Sequence, residues 1–528
     1  MKRAAATITG PKGGAWDVFI GLEVHAQIQL RSKLFSRSQA AAPSEHDEPN
    51  SRVSLFDASF PGTLPVLNSS AVDQAVRAAL ALGSRVHQRS VFERKHYFYS
   101  DLPHGYQITQ QRHPIATGGA LPLLPADHDD HAPRLPSIGI TRIQLEVDSG
   151  KSLHDRKGSG SGGDERRSLV DLNRAGTALM EIVFQPEIRS AAEAGAALRS
   201  LQLFLRRVGA CDGNMEDGSM RCDLNVSVRP EGARGMGERV EVKNMNSVRH
   251  LMTAAAAEAA RQARRLEMGE GPISRETRGF DVAKGKTTRL RRKEGSVDYR
   301  FFPEPDLPPL VLTGEHVETL RATLPELPQA TMARLSRDYG LAEHLSRLIV
   351  CAAGGASGYF ENLVNGSVRR RDPQVAANWL SNNLFDREQQ QRQRHQRRKS
   401  PVERIFPAER LGGLLDLLAD GTVSSQTAKS VLRDMVMEDR SSTAMEIVEA
   451  KDLRQLTDVA EIEALCRAIV QDPRHAKQLA SYRGGKTNLS KFFMGQAFKA
   501  TRGRADGKIV EATVMGLLQQ PPDSVPAT

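Results

Sequence analysis

The stretch VFIGLEVHAQIQL, residues 18–30, alternates apolar and polar side chains over most of its length. Leucine, valine, alanine and isoleucine occupy the even positions from residue 22 onward, whereas Glu23, His25, Gln27 and Gln29 occupy the odd ones. Successive side chains of a β-strand point to opposite faces, so this period of two predicts a strand with one apolar and one polar face. The polar face places a carboxylate and an imidazole two residues apart.

Three further stretches repeat the pattern: ITRIQLEVD (140–148), MRCDLNVSV (220–228) and RVEVKN (239–244). An antiparallel sheet often has one wet face, and solvation alone would account for the polarity. Carboxylates interleaved with cations favour Mg²⁺ and phosphate groups instead. The alternation therefore predicts an ATP–Mg²⁺ face, but it does not show that the four strands are neighbours. The polar positions are Arg142, Gln144, Glu146, Asp148, Arg221, Asp223, Asn225, Ser227, Arg239, Glu241 and Lys243.

The bulk composition limits the class of protein. With 528 residues the chain is long enough for about three domains. A formal net charge of +10 favours a polyanionic partner, or else a solvated basic surface. The sequence has no apolar run of the roughly 20 residues that a membrane helix needs, so we expect no membrane insertion. Four cysteines without a C-x-x-C pair predict neither a disulfide framework nor a zinc site.

The patterning changes along the chain and predicts an α+β organisation. Short alternating runs and glycine turns predict a sheet-rich domain at 17–310, and helical periodicity predicts a second domain at 311–386. Residues 387–400, rich in glutamine and arginine, are interpreted as a basic linker, and a second helical block follows at 401–528. Residues 1–16 contain no acid and are either the remnant of a presequence or a frayed terminus.

Two other features invite a functional interpretation but have weaker support. His128 and His131 lie among aspartates, but within a proline-rich stretch (122–137) that reads as a loop insertion without a rigid frame. A second insertion, at 156–168, is rich in glycine and serine. The tetrapeptide GGKT (484–487) does not meet the phosphate-loop pattern, and a polar turn before a helix is the preferred interpretation.

Long motifs connect these strands to a known family. They include IGLEVHAQI, DASFPGTLPVLN, RKHYFYSDLPHGYQITQ, LVDLNRAGTALMEIV, NMEDGSMRCDLNVSVRP, EVKNMNSVRHL and DYRFFPEPDLPPL, in this order between residues 18 and 310. AANWLSNNL (376–384) and GQAFKATRGRADG (495–507) continue the series. Together they closely resemble the B subunit of the aminoacyl-tRNA amidotransferases, the GatB/GatE family. The resemblance covers nearly the whole chain.

The resemblance implies a fold and an activity. The fold is a glutamine-synthetase-like cradle domain with a mainly antiparallel sheet, followed by a helical domain and a helical C-terminal tail domain that binds tRNA. The activity uses ATP and Mg²⁺ to phosphorylate the side-chain carboxylate of glutamate on mischarged Glu-tRNA(Gln). Ammonia from an amidase A subunit then displaces phosphate to give Gln-tRNA(Gln), and a small C-type subunit or its equivalent completes the complex.

The resemblance also assigns roles to residues by their motifs. The catalytic set is Glu23, His25, Glu146 and Lys243, and the nucleotide ligands are Arg221, Asp223 and Glu241. The metal ligands are Glu23, His25, Glu146 and Asp148. The residues expected to shape the pocket are Tyr99, His104, Tyr106, Asn173 and Arg174. The tRNA contacts expected in the basic tail are Lys486, Lys491, Lys499, Arg502 and Arg504.

One motif departs from the family. Bacterial members often have an acid where LEVDSGKSLHD (145–155) has Val147. In a regular strand Val147 points away from Glu146 and Asp148, so we expect these two to serve beside Glu23 and His25. The residues of this motif resemble those of the mitochondrial branch of the family. Together with the acid-free N-terminus, it predicts an enzyme of the mitochondrial matrix.

Two alternatives remain open at this point. A free-standing ligase for a small carboxylic acid would have no evident use for about 220 residues of helical and basic tail. A catalytically silent tRNA-binding scaffold would not need the carboxylates and imidazole of the polar strands. Glutamate on tRNA, rather than aspartate, is favoured by the organellar character of the motifs.

Overall fold

The computed structural model divides the chain into two compact units, Met1–Pro328 and Gln329–Thr528. The described residues are 7–40, 48–124, 135–154, 168–292, 298–352, 356–366, 369–385, 406–438, 441–501 and 503–520. The interpretations made for His128, His131, most of 156–168, the linker at 387–400 and Arg502 lie outside these residues. No helix in the described part is long and apolar enough to cross a membrane.

The described residues of the first unit form the strands and four helices. The strands are β1 (Thr7–Thr9), β2 (Ala15–Gln27), β3 (Arg85–Val86), β4 (Arg89–Ser90), β5 (Glu93–His96), β6 (Tyr106–Thr109), β7 (Ala116–Thr117), β8 (Ala120–Pro122), β9 (Ser137–Val147), β10 (Lys151–His154), β11 (Ser168–Asp171), β12 (Ala178–Phe184), β13 (Met220–Pro230), β14 (Val240–Met245), β15 (Glu276–Asp281), β16 (Lys286–Arg292), β17 (Phe302–Pro303) and β18 (Leu310–Val311). The helices are α1 (Ser69–Ala81), α2 (Ala191–Val208), α3 (Val248–Glu267) and α4 (Gly314–Ala322).

An 11-stranded sheet organises this unit, in the order β16-β15-β14-β13-β2-β12-β9-β7-β3, with β1 on β2 and β8 on β9. Neighbouring strands pair antiparallel, except that β14 and β15 run parallel. Strand β2 is central: β13 pairs with it from Trp16 to Ala26 on one side, and β12 pairs with its last five residues, Glu23–Gln27, on the other. A smaller sheet of β17, β5 and β6 also belongs to the unit.

The apolar face of the large sheet packs against α1, α2 and α3. Leu22, Val24 and Ala26 of β2 are almost fully buried there, as the alternation predicts. Helices α2 and α3 begin at serine caps, Ser190 and Ser247, whose side chains accept a backbone N–H of the first turn. With this face covered by helices, the opposite face of the sheet is available to build a site.

The second unit is helical. Its helices are α5 (Pro328–Tyr339), α6 (Glu343–Cys351), α7 (Ser357–Asn365), α8 (Pro373–Trp379), α9 (Ala408–Ala419), α10 (Ser425–Met437), α11 (Ala444–Ala450), α12 (Val459–Gln471), α13 (Ala476–Arg483), α14 (Ser490–Ala500) and α15 (Gly507–Gln519). A separate apolar cluster forms among α12, α14 and α15, with Phe493 and Val510 fully buried.

The predicted fold class is confirmed: a large, mostly antiparallel sheet comes first and a helical region follows. The boundary between the two compact units lies near residue 328, because α4 packs on α1 and buries Leu320 in the core of the first unit. The predicted domain boundaries at 310, 386 and 400 stay predictions.

Candidate active site

The register of the sheet brings the polar stretches together. His25 of β2 pairs with Glu181 of β12 and with Arg221 of β13, and Glu23 pairs with Asp223. Residues directly opposite each other in a sheet share a face, so these side chains converge on the face that the helices leave open. All four predicted strands, β2, β9, β13 and β14, belong to this sheet, and β12 lies between β2 and β9.

An acidic cluster, defined here as Glu23, His25, Glu146 and Glu181, occupies the centre of that face. The His25 ring bonds through Nδ1 to Glu146 Oε1 at 2.8 Å, and its Nε2 lies 3.7 Å from Glu23 Oε1. One ligand atom each from Glu23, His25 and Glu181 lie within 4.8 Å of one another. These three groups could hold a cation, while Glu146 orients the imidazole from behind.

Neutral and cationic side chains support the cluster. Gln144 Nε2 donates to Glu181 Oε2 at 3.1 Å, and Arg142 lies 3.6 Å from the same carboxylate. Glu146 is almost fully buried and accepts a 3.5 Å bond from Thr109 Oγ1. The carboxylates of Glu146 and Glu181 are therefore held by fixed partners and not by solvent.

The protonation of His25 follows from its neighbours. Burial alone lowers the pKa of an imidazole, but the hydrogen bond to Glu146 and the charges of Glu146, Glu181 and Glu23 outweigh it. They raise the pKa of His25 to about 9. The cluster attracts positive charge strongly enough to raise the pKa of a partly buried ring, and a metal cation would meet the same field.

The pKa values of the two buried carboxylates, Glu146 and Glu181, shift in opposite directions. Burial and the charges of Glu146 and Glu23 raise the pKa of Glu181. Burial acts the same way on Glu146, but its bond and charge interaction with His25 prevail and lower its pKa. Like charges held close together in a dry site cannot both stay ionised without a cation.

Beside the cluster, Asp148 engages two arginines. Arg221 donates to Asp148 Oδ2 at 2.7 Å, and Arg174 lies 3.4 Å from the same oxygen while donating to the carbonyls of Ser149 and Gly150. The guanidinium of Arg221 is half-buried next to His25, where it can meet an anionic ligand.

A lysine and two acids extend the polar face of the sheet onto β13 and β14. Lys243 donates to Asp223 Oδ2 at 3.0 Å and lies 3.5 Å from Glu241 Oε1. Thr277 donates to Glu241 at 3.0 Å and orients it. Burial lowers the pKa of Lys243, but the charges of Asp223 and Glu241 more than compensate and raise it, so the ammonium stays charged.

The structure gathers most of the predicted residues. Glu23, His25 and Glu146 lie together, and Val147 turns into the apolar core as expected. Asp148 binds arginines instead of facing His25, so its ligand role stays a prediction without geometric support.

The sequence interpretation missed Glu181. Strand β12 (ALMEIVF) is apolar on both faces, which hides the alternation. The available signal was a lone acid within an apolar run, since a charge is rarely buried there without a partner.

The residues expected to shape a pocket have varied surroundings. Asn173 accepts from the backbone of Arg52 and donates to the carbonyl of Glu48. The His104 ring packs between Phe56 and Tyr106. Tyr99 is 59% exposed. Arg174 lies beside Asp148, whereas Asn173 and His104 hold local structure.

In the second unit, the predicted basic contacts lie on α14 and in the turns around it. Lys486, Lys491 and Lys499 are exposed. Arg504 is half-buried and pairs with Asp452 at 2.9 Å. The three lysines are thus available to a polyanion, and Arg504 is already engaged.

Comparison with known proteins gives a consistent match along the chain. A family model described as the GatB/GatE catalytic domain matches residues 18–318, and one described as the GatB domain matches residues 358–518. The chain is 44% identical to the B subunit of the mitochondrial glutamyl-tRNA(Gln) amidotransferase of Phytophthora infestans, over 97% of each chain. It is 46% identical to the B subunit of the aspartyl/glutamyl-tRNA(Asn/Gln) amidotransferase of Acidiphilium cryptum, over 96% of this chain and 98% of that one.

Proposed function

We propose that this chain, which belongs to the GatB/GatE family, is the ATP-using subunit of a tRNA-dependent amidotransferase. Its substrate is glutamate on mischarged Glu-tRNA(Gln), and the product of the assembled enzyme is Gln-tRNA(Gln). The observation that carries the proposal is the acidic cluster, with the cations Arg221 and Lys243 on the neighbouring strands of the same sheet.

The donor set of the cluster fits Mg²⁺. Two carboxylates and one imidazole within 4.8 Å leave most coordination positions for water and phosphate oxygens, as this ion requires. Glu23, His25 and Glu181 would hold the ion, and Glu146 would orient His25. When bound, the ion supplies charge neutralisation for phosphate oxygens.

The chemistry requires an activated carboxylate. An oxygen of the glutamate side chain attacks the γ-phosphorus of ATP, the bond from that phosphorus to the β-bridging oxygen breaks, and ADP leaves. Ammonia then attacks the acyl carbon, the carbon–oxygen bond to phosphate breaks, and the nitrogen loses a proton to give the amide and inorganic phosphate. Without phosphorylation ammonia would have to expel an oxide.

The residues of the face have distinct tasks in this scheme. Arg221 and Lys243 stabilise charge on the transferred phosphoryl group, as such cations do in phosphoryl transfer. Asp223 and Glu241 hold the Lys243 ammonium in place, and Asp148 holds Arg221. This division makes the predicted nucleotide ligands Asp223 and Glu241 positioning groups for a lysine.

The proposal extends to partners and location. A glutaminase-type amidase subunit would supply ammonia, a small third subunit would complete the complex, and the exposed lysines of the second unit would contact tRNA. The mitochondrial name of one relative and the DSGKSLHD motif support a place in the mitochondrial matrix.

Reconstitution tests the proposal. The chain, combined with its amidase partner, ATP, Mg²⁺, glutamine and Glu-tRNA(Gln), is expected to convert the charged glutamate to glutamine. Omitting ATP should stop the conversion, and His25→Ala should abolish it while glutaminase activity of the partner persists. A folded complex that leaves Glu-tRNA(Gln) unchanged would refute the proposal, and a His25→Ala complex with full amidation would favour a silent scaffold.

A further inference from the structure

Aromatic side chains adjoin the acidic cluster on the small sheet of β5, β6 and β17. Tyr97 and Tyr99 follow β5, and Tyr299 comes from the segment before β17. The Tyr97 ring lies 5.7 Å from that of Tyr99 and 6.3 Å from that of Tyr299, both edge-on. These three residues are called the tyrosine row.

The inner end of the row is fixed next to the cluster. Tyr97 donates its hydroxyl to Gln107 Oε1 at 3.2 Å, and Gln107 Nε2 donates to the carbonyl of Val147 at 2.7 Å. Val147 directly follows Glu146 on β9. Burial, together with the negative charges of Glu146 and Asp148, raises the pKa of Tyr97, so its hydroxyl stays neutral.

The outer end of the row is open but its backbone is braced. Tyr99 is 59% exposed. Its carbonyl accepts from the N–H of Leu102 at 3.1 Å, and the carbonyl of Asp101 accepts from Gly150 at 2.8 Å. An exposed aromatic ring on a braced segment loses little conformational freedom when a flat ligand stacks on it.

A cation lies among these rings. Lys95 Nζ is 5.8 Å from the centre of the Tyr97 ring and 5.2 Å from that of Tyr299. Its charge also acts on the cluster, adding to the effect of His25 that lowers the pKa of Glu146 and opposing the rise in the pKa of Glu181. Aromatic rings with an interleaved cation are the arrangement that binds unpaired nucleotides, by stacking on bases and attracting the phosphates.

We propose that the tyrosine row binds the unpaired nucleotides at the 3′ end of the aminoacylated tRNA by base stacking. The inference rests on the proposed function, since the reacting carboxylate is carried by the 3′-terminal nucleotide. When that carboxylate is at the acidic cluster, the 3′-terminal nucleotide lies no further from the cluster than the length of one glutamyl group. The tyrosine row is linked to the strand of Glu146 through Gln107 and ends at the exposed ring of Tyr99.

The experiment compares two tRNA ligands on the assembled amidotransferase. One is tRNA(Gln) with its 3′ strand intact, and the other is the same tRNA trimmed of its last three nucleotides. We expect Tyr99→Ala to weaken binding of intact tRNA by about 5-fold to 100-fold, the range for loss of one stacked base. Binding of trimmed tRNA should not change. Tyr99→Phe keeps the ring and should behave like the original chain.

Two further measurements strengthen the test. A 2-aminopurine base at the 3′ terminus should lose fluorescence on binding to the original complex and retain it with Tyr99→Ala. Leu64→Ala is the matched control, because Leu64 is 63% exposed on the same unit and outside the row. It should affect neither tRNA.

Several outcomes would overturn the inference. An equal loss of affinity for intact and trimmed tRNA in the Tyr99→Ala complex would show that the tyrosine row does not contact the 3′ strand. A weaker ATP affinity with unchanged tRNA binding would assign the rings to the ATP base, and loss of a partner subunit would assign them to a protein contact. An active complex in which Tyr99→Ala matches the original chain refutes only this inference, whereas an inactive original complex refutes the proposed function.

Discussion

At the scale of single residues, the site depends on how charge is shared around His25. The ring is in contact with Glu146 on one nitrogen and close to Glu23 on the other, and Glu181 lies opposite it in the sheet. Three acids around one imidazole make a field that stabilises a proton or a metal cation. Glu146, almost fully buried, contributes most to that field.

The first prediction concerns Glu146→Gln in the metal-free chain. Removing this carboxylate removes the largest interaction that raises the pKa of His25, so the pKa should fall well below about 9. Histidine-selective NMR titration measures it. The raised pKa stabilises the fold fully below pH 6.5, and this contribution is lost as pH rises through about 9. The variant should lack that pH-dependent component in urea unfolding. A titration midpoint that stays near 9 would contradict the assignment.

The second prediction concerns Glu181. Glu181→Gln keeps the size of the side chain but removes the negative charge of one of the three candidate metal ligands. We expect amidation by the assembled enzyme to fall about 100-fold or more, with tRNA affinity unchanged, as loss of a metal-site residue usually causes. Raising the Mg²⁺ concentration should recover part of the rate. Glu318→Gln, an exposed acid on α4, is the control and should have no effect. Full activity of Glu181→Gln would exclude it from the metal site.

At the scale of elements, helix α3 holds the edge strands that support Lys243. Glu258 of α3 is fully buried and accepts hydrogen bonds from Arg261 and from Thr287 of β16. Arg278 of β15 lies 3.4 Å from the same carboxylate. Strand β15 also provides Thr277, which orients Glu241 beside Lys243. A buried carboxylate on the helix thus fixes the strands next to the one that carries Lys243.

The third prediction follows from this network. Glu258→Ala leaves two partly buried arginines without this partner, and removing one member of such a network costs about 3–5 kcal/mol. Hydrogen exchange of the amides in β15 and β16 should speed up accordingly. Glu258→Gln should cost less, because it keeps hydrogen bonds to Thr287 and Gln262. Glu270→Ala, exposed after α3, serves as the control. Unchanged protection in Glu258→Ala would show that packing alone holds these strands.

At the scale of the whole molecule, the proposed catalytic residues and the predicted tRNA contacts belong to different units. The acidic cluster and its cations are built from strands of the first unit. The predicted tRNA contacts lie on helices and turns of the second, in a chain with a net charge of +10. Phosphate contacts of this kind determine affinity and salt dependence, not the chemical step.

The fourth prediction separates these two roles. Replacing Lys486, Lys491 and Lys499 by alanine should weaken tRNA binding and reduce the dependence of log K on log salt by about 2 to 3. The rate at saturating tRNA should stay within about 2-fold, since the catalytic face is untouched. Binding is measured at several KCl concentrations. Lys284→Ala, on an exposed turn of the first unit, is the control. An unchanged salt dependence would exclude these lysines from the phosphate contacts.

The sequence by itself determined which side chains share a face within each strand. The period of two in β2 placed Glu23 and His25 on one side, and it turned Val147 of β9 into the core. The order of the motifs established the family and the fold class. These properties are local or follow from long sequence matches, so they do not depend on which strands become neighbours.

Only the tertiary structure decided which strands lie side by side and in which register. It inserted β12 between β2 and β9, which brought Glu181 to His25. It also placed Asp148 beyond the end of β9, where Arg221 and Arg174 bind its carboxylate. Strand pairing joins residues more than a hundred positions apart. The alternation within one strand does not indicate which strand will pair with it, because side chains alternate every two residues whatever strand lies next to them.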